Sequence, residues 1–77
     1  MEEQVKTIYE SENVEVLYFN KECATIIGDT ITWFDMNSLL DTVCFVKVLS
    51  KYQVSQIERA KIISQVMELV DKDKTLV

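Results

Sequence analysis

The side chains able to do chemistry in this chain are few in kind. There are thirteen carboxylates, eight cations, two cysteines and no histidine. Without an imidazole, the common general acid–base pairs and Ser-His-Asp arrangements are missing. A cysteine nucleophile needs a base and an electropositive setting. Cys44, between Val43 and Phe45, has neither nearby in sequence. One glycine, Gly28, cannot build a phosphate-cradling loop. No Cys-x-x-Cys or acidic calcium-loop spacing occurs. Glu2/Glu3 and Glu10/Glu12 are neighbouring carboxylates in polar segments, where a solvated arm is a simpler reading than an acid–base pair. The sequence therefore predicts a protein that is not an enzyme and that uses no metal, cofactor or small-molecule substrate.

What the chain does offer is charge and apolar surface. Residues 1–41 carry nine carboxylates against two lysines, a net of −7, while residues 42–77 carry four against six cations, a net of +2. Such a division affects association more than fold. Glu10, Glu12 and Glu15, behind Glu2 and Glu3, are candidates to face a basic surface on a partner. Two other readings compete. The acids can serve solubility and protect a sheet edge, as Glu15, Lys21 and Glu22 would. They can also imitate phosphate, as in DNA-mimic inhibitors, although −5 overall is modest for that.

Seventy-seven residues predict a single domain, 1–77, whose core supplies about 3–5 kcal/mol unless something is added. Two cysteines are too few for a secreted disulfide framework, so Cys23 and Cys44 read as buried free thiols in a reducing cytosol. The acidic N-terminus does not resemble a signal peptide. The strongly apolar run Val43–Leu49 is far short of the ~20 residues that cross a bilayer. The expected location is the cytoplasm, with no membrane contact. Seven lysines against one arginine, with no proline, suit an AT-rich bacterial or phage genome.

The elements can now be placed. Gly28-Asp29 lies between β-branched runs and predicts a type II′ hairpin. Its register puts Ala24, Ile26, Ile31 and Trp33 on one face and Thr25, Thr30 and Thr32 on the other. The apolar set reads as the covered face, with Trp33 in the core. An earlier strand, Val14–Phe19, joins through a three-residue loop, Asn20-Lys21-Glu22. A two-residue turn would instead bring Glu15 opposite Ile26, burying a carboxylate on a covered face.

Helices should supply the cover. Asp35 reads as an N-cap with Phe34 and Leu39 as a hydrophobic staple, opening a helix from about Met36 to Lys51. That helix would bury Leu39, Leu40, Val43, Val46 and Leu49 or their neighbours. The β-branched run 42–49 could also form a fourth strand. Ser55 and Glu58 form a capping box for a final helix ending near residue 71. Residues 72–77 read as a frayed tail. Residues 1–12 read as an acidic arm with a short helix, from the spacing of Met1, Val5, Ile8 and Tyr9, although Val5, Thr7 and Tyr9 also fit a strand.

On the final helix, Leu69, Ile62, Val66, Val70, Ile63, Met67 and Ala60 span about half the circumference. That is wider than a sheet-facing stripe needs, so Ile62, Val66 and Leu69 are candidate partner contacts, with Arg59 as an anchor inside the stripe. A symmetric homodimer or a heteromeric target would cover them. Lys47, Lys51, Arg59 and Lys61 surround the junction of the two helices. With Gln53, Ser55 and Gln56, the region 47–61 resembles a helix-turn-helix reader of DNA, although the acidic chain and the glycine-free turn weigh against it.

The expectation is thus an α+β domain. A three-stranded antiparallel meander (13–34) precedes two helices (35–71) packed on one face. The expected role is a small acidic protein-binding module that docks on and inhibits or regulates a larger protein, in the manner of a phage or mobile-element accessory protein. A DNA-binding regulator is the first alternative and a DNA mimic the second.

Overall fold

The structure is a computed structural model that describes residues 5–75. Four strands, β1 (Lys6–Glu10), β2 (Glu15–Phe19), β3 (Glu22–Ile27) and β4 (Thr30–Asp35), precede two helices, α1 (Leu39–Lys51) and α2 (Gln56–Thr75). The strands form an antiparallel sheet in sequential order. The chain is α+β as expected, with one strand more than the predicted meander. The extra strand is β1, where a helical arm was expected. Its pairing with β2 is irregular between Thr7 and Tyr9, so Thr7 lies opposite Leu17 on one face and Tyr9 opposite Val16 on the other. The predicted arm's Met1, Glu2 and Glu3 lie outside the described residues.

The β3–β4 hairpin has the predicted register, with Ile27 opposite Thr30 and Ala24 opposite Trp33. Gly28 takes a φ of +60°, as the first position of a type II′ turn requires. The β2–β3 connection departs from expectation. Phe19 pairs with Glu22, so the loop is two residues, Asn20-Lys21, with φ of 50° and 69°. Positive φ at both positions is the type I′ requirement, and asparagine tolerates it well. Glu15 accordingly lies opposite Ile26. That pairing carries no burial cost, because the face bearing it is not the covered one.

The facing of the sheet is the reverse of the prediction. The helices cover the side carrying Val16, Tyr18, Cys23, Thr25 and Phe34, all buried. Phe45 and Leu49 of α1, with Ile62, Val66 and Val70 of α2, complete this core, joined by Val14, Met36 and Val54. Phe34 and Phe45 meet with ring centroids 5.7 Å apart and tilted by 54°, a favourable aromatic arrangement. Trp33, expected inside, is 46% exposed, and Ile31 58%.

Residues 42–50 are helix, not strand. Ser38, not Asp35, is the N-cap; its hydroxyl accepts the Asp41 N–H at 3.3 Å. Asp35 instead accepts the Asn37 N–H at 2.9 Å, bending the chain two residues before that cap. With the start shifted, the staple is lost: Leu39 is 82% exposed, and Leu40 and Val43 also face solvent. The helix ends in a Schellman motif. Gln53 has a φ of 66°, its N–H donates to Ser50 O, and the Val54 N–H donates to Leu49 O. Glutamine thus occupies the position where a glycine is usual. Helix α2 opens at the predicted Ser55 N-cap: Ser55 Oγ accepts the Glu58 N–H at 3.1 Å and, in place of a capping box's second backbone bond, donates to the Glu58 carboxylate. The helix continues to Thr75, past the expected end at 71.

The extension has a cause. The Tyr18 hydroxyl donates to Asp73 and accepts the Lys21 N–H at 3.1 Å. One phenol ties the last turns of α2 to the β2–β3 turn. Burial, aided by the Asp73 bond, pushes the Tyr18 phenol from 10.0 up to about 12. Burial alone pushes the Cys23 thiol from 9.0 to about 12. Cys44, expected inside, is exposed on α1. Among the described residues, no helix is long and apolar enough to cross a membrane.

Three outcomes follow from this packing. Cys44 alone should react rapidly with a thiol reagent in the native chain, and Cys23 only on unfolding. Both shifted groups favour their neutral forms in the fold. Their stabilisation is therefore complete below pH 9 and is lost as pH rises toward 12, which the urea midpoint across that range will show. Lys21→Gly should stabilise the fold by about 0.5–1 kcal/mol in the same assay, because glycine relieves the positive φ at some cost in unfolded-chain entropy.

Candidate functional site

The uncovered side of the sheet follows from the pairing. Cross-strand neighbours share a face, so Thr7, Leu17, Ala24 and Trp33 form one row across the four strands. Glu10, Glu15, Ile26 and Ile31 form a second row on the same side. Phe19, Glu22 and Asp35 form a third. Six apolar side chains therefore lie on a face that no helix covers. Four of them, Leu17, Phe19, Ala24 and Ile26, are partly or wholly screened by neighbours, whereas Ile31 and Trp33 stand out into solvent on the edge strand β4.

The acids occupy two diagonal corners. Glu10 is paired with Glu15 at one end of β1–β2, and Glu22 with Asp35 at the other end of β3–β4. Like charges directly opposite one another across a ladder are unfavourable by roughly 0.2–1 kcal/mol. Asp41 adds a third carboxylate near the second corner, where its Oδ2 accepts the Asp35 N–H at 2.9 Å. No lysine or arginine belongs to these three rows. The face is thus an apolar band between two anionic corners.

The sequence-predicted partner residues divide between this face and the interior. Glu10 and Glu15 are brought together on the open face. Glu12 lies beside them in the exposed β1–β2 turn. Arg59 is turned inward: its Nη1 donates to Val54 O at 2.8 Å, fastening α2 to the turn before it. Ile62 and Val66 are buried in the core, and Leu69 is half-buried against it. The wide stripe is largely consumed within the chain, because α2 packs on β1 as well as on α1. Lys47, Lys51 and Lys61 are exposed around the helix junction, and Val54 between them is buried.

The residues that sequence reasoning left out are Leu17, Phe19, Ile26, Ile31 and Trp33 as an exposed set. The shared face of Ile26, Ile31 and Trp33 was legible but read as covered, and the expected three-residue loop placed Val16 and Tyr18 on it in place of Leu17 and Phe19. Two signals pointed the other way: Asn20 as a left-handed turn former, and the alternation of Val14, Val16 and Tyr18. Among the described residues, no cluster of three or more cysteine or carboxylate side chains is placed to hold a metal ion. No protein-family profile matches the chain, and no curated protein or solved structure resembles it closely enough to count as a match.

Proposed function

We propose that this chain is a non-enzymatic protein-binding module that docks through the open face of its sheet and thereby inhibits or regulates a larger protein. The observation that carries this reading is the apolar band flanked by two like-charged cross-strand pairs, Glu10–Glu15 and Glu22–Asp35. Each pair costs stability in the free chain. A partner with cations at matching corners would turn that cost into attraction and would speed association.

The size of the face fits this role. Four strands at ~4.8 Å spacing and some six residues of ~3.4 Å rise give about 350–400 Å² in projection. Patches of this size on a small protein are commonly functional. Trp33 is suited to be the anchor, since tryptophan is enriched among energetically dominant contacts.

Charge decides between a second copy and another protein. Two copies laid face to face would bring each acidic corner against another acidic corner or against an apolar one. No self-pairing through these rows supplies a cation. The partner is therefore a different protein, with an apolar centre and basic flanks. Phosphate mimicry accounts for the acids but not for six apolar side chains between them.

Affinity capture from bacterial lysate, followed by binding measurements with the purified partner, tests this. Trp33→Ser should weaken binding about 30-fold, a loss of ~2 kcal/mol, while leaving the helical circular dichroism unchanged. Glu15→Lys with Glu22→Lys should slow association and reduce its salt dependence. Unchanged binding in both variants would overturn the docking face. Loss of binding only on changing Leu39, Leu40 and Val43 would move the site to α1.

A further inference from the structure

The two edges of the sheet are not alike. On β1 the ladder is interrupted between Thr7 and Tyr9, and Lys6 stands on the strand. A bulge and a lysine are common means of closing an edge to further pairing. On β4 neither is present. Its register with β3 runs unbroken from Thr30 to Asp35, and the strand holds no lysine, arginine or proline.

The ladder also fixes where the β4 main chain points. In an antiparallel pair, opposed residues alternate between exchanging both hydrogen bonds and exchanging none. The Met36 N–H donates to Lys21 O at 3.0 Å, which sets the phase. Thr30, Thr32 and Phe34 therefore bond to β3, and Ile31, Trp33 and Asp35 turn their N–H and C=O groups outward. Asp35 bears this out, because its N–H meets Asp41 Oδ2 of α1 at 2.9 Å, and that bond closes one end of the edge. Among the described residues, no strand lies outside β4, so the N–H and C=O groups of Ile31 and Trp33 stay unpaired. The side chains of the same two residues are exposed on the open face. On the helix side, Thr30 and Thr32 border an open cleft of about 360 Å³ whose far wall is Val48, Lys51 and Tyr52. Side chains of an added strand thus have room on both sides of the sheet.

We infer that the outer edge of β4 takes up an extended segment of the partner protein as a fifth strand. This rests on the docking reading above and names how that partner is held. Main-chain bonds to Ile31 and Trp33 supply the pairing, and alternate side chains supply the selectivity. Two apolar residues, spaced two apart, lie opposite Trp33 and Ile31 and widen the apolar band. A lysine or arginine two residues ahead of the first lies opposite Asp35, where Glu22 and Asp41 add negative charge. The segment therefore reads basic, any, apolar, any, apolar, and runs antiparallel to β4. Charge argues against a second copy as the occupant. The antiparallel register that satisfies all four open groups pairs Ile31 with Trp33 across the two-fold. It also sets Asp35 opposite Asp29 twice over, between chains that each carry −5.

The probe is the peptide acetyl-Thr-Arg-Thr-Val-Thr-Val-Thr-amide, followed by amide chemical shifts and hydrogen exchange of the intact chain. In the free chain, the Ile31 and Trp33 amides should exchange freely while those of Thr32 and Phe34 are protected. The peptide should bind with a roughly millimolar Kd, as suits so short a segment. At ten times that concentration, exchange at Ile31 and Trp33 should slow about tenfold. Replacing the arginine by glutamate should weaken binding about threefold. Methylating the two valine nitrogens removes the N–H groups that face β4 and should abolish binding. Absence of saturable binding, or equal binding of the methylated or the glutamate peptide, would overturn the inference. So would protection of Ile31 and Trp33 that grows with chain concentration alone, which would assign the edge to a second copy. Weaker binding of the purified partner by Trp33→Ser, with no pairing of the peptide, would keep the docking face and remove only the edge.

Discussion

The two-residue turn at Asn20-Lys21 is the constraint on which the rest of this structure depends. A strand's side chains alternate, so a change of one residue in a hairpin loop moves every later side chain to the opposite face. With two residues in the loop, Val16 and Tyr18 share a side with Cys23, Thr25 and Phe34, and Leu17 and Phe19 share a side with Ala24, Ile26 and Trp33. Both sides are apolar enough to be covered, and two helices can cover only one. The chain covers the side that Tyr18 fastens. That phenol bridges the turn backbone and Asp73, and the Met36 N–H closes on Lys21 O from the end of β4. The turn, the sheet and both ends of the helical layer are held at one place.

Everything notable about the surface follows from that choice. The side left open carries Ile31 and Trp33 and collects four carboxylates at its corners without a cation. The side covered carries a column of threonines, which pack less fully and leave a polar cleft beneath the end of α1. A fold with the other facing would have hidden the tryptophan, filled the cleft and buried Glu15 opposite Ile26. Docking face and cleft are thus two consequences of one register.

The sequence disclosed local structure better than facing. The Gly28-Asp29 hairpin, its register and the Ser55 N-cap were legible because each depends on a few adjacent residues. The β1 strand was hidden because Val5, Ile8 and Tyr9 fall at helical spacing and the bulge between Thr7 and Tyr9 interrupts the strand alternation. The cap of α1 was misplaced by three residues because Asp35 and Ser38 are both good capping residues, and Asp35 is used in a turn. The facing failed for a physical reason. Apolar content was taken to decide which side is covered, whereas the decisive groups were a turn backbone and a phenol 55 residues away from its acceptor. Glu10 and Glu15 were singled out from charge alone, and the pairing of β1 with β2 sets them opposite each other. Ile62 and Val66 were misread because a wide stripe on a helix can be absorbed by a sheet and a neighbouring helix together.

Trp33 is the only tryptophan in the chain, which makes the facing directly measurable. Acrylamide quenching of its fluorescence in the native protein, compared with the urea-unfolded chain, reports its access to solvent. The account predicts a red-shifted native emission and quenching close to that of the unfolded chain. A blue-shifted emission protected from acrylamide in a monomeric sample would place Trp33 under the helices, and would contradict the register, the open face and the cleft together.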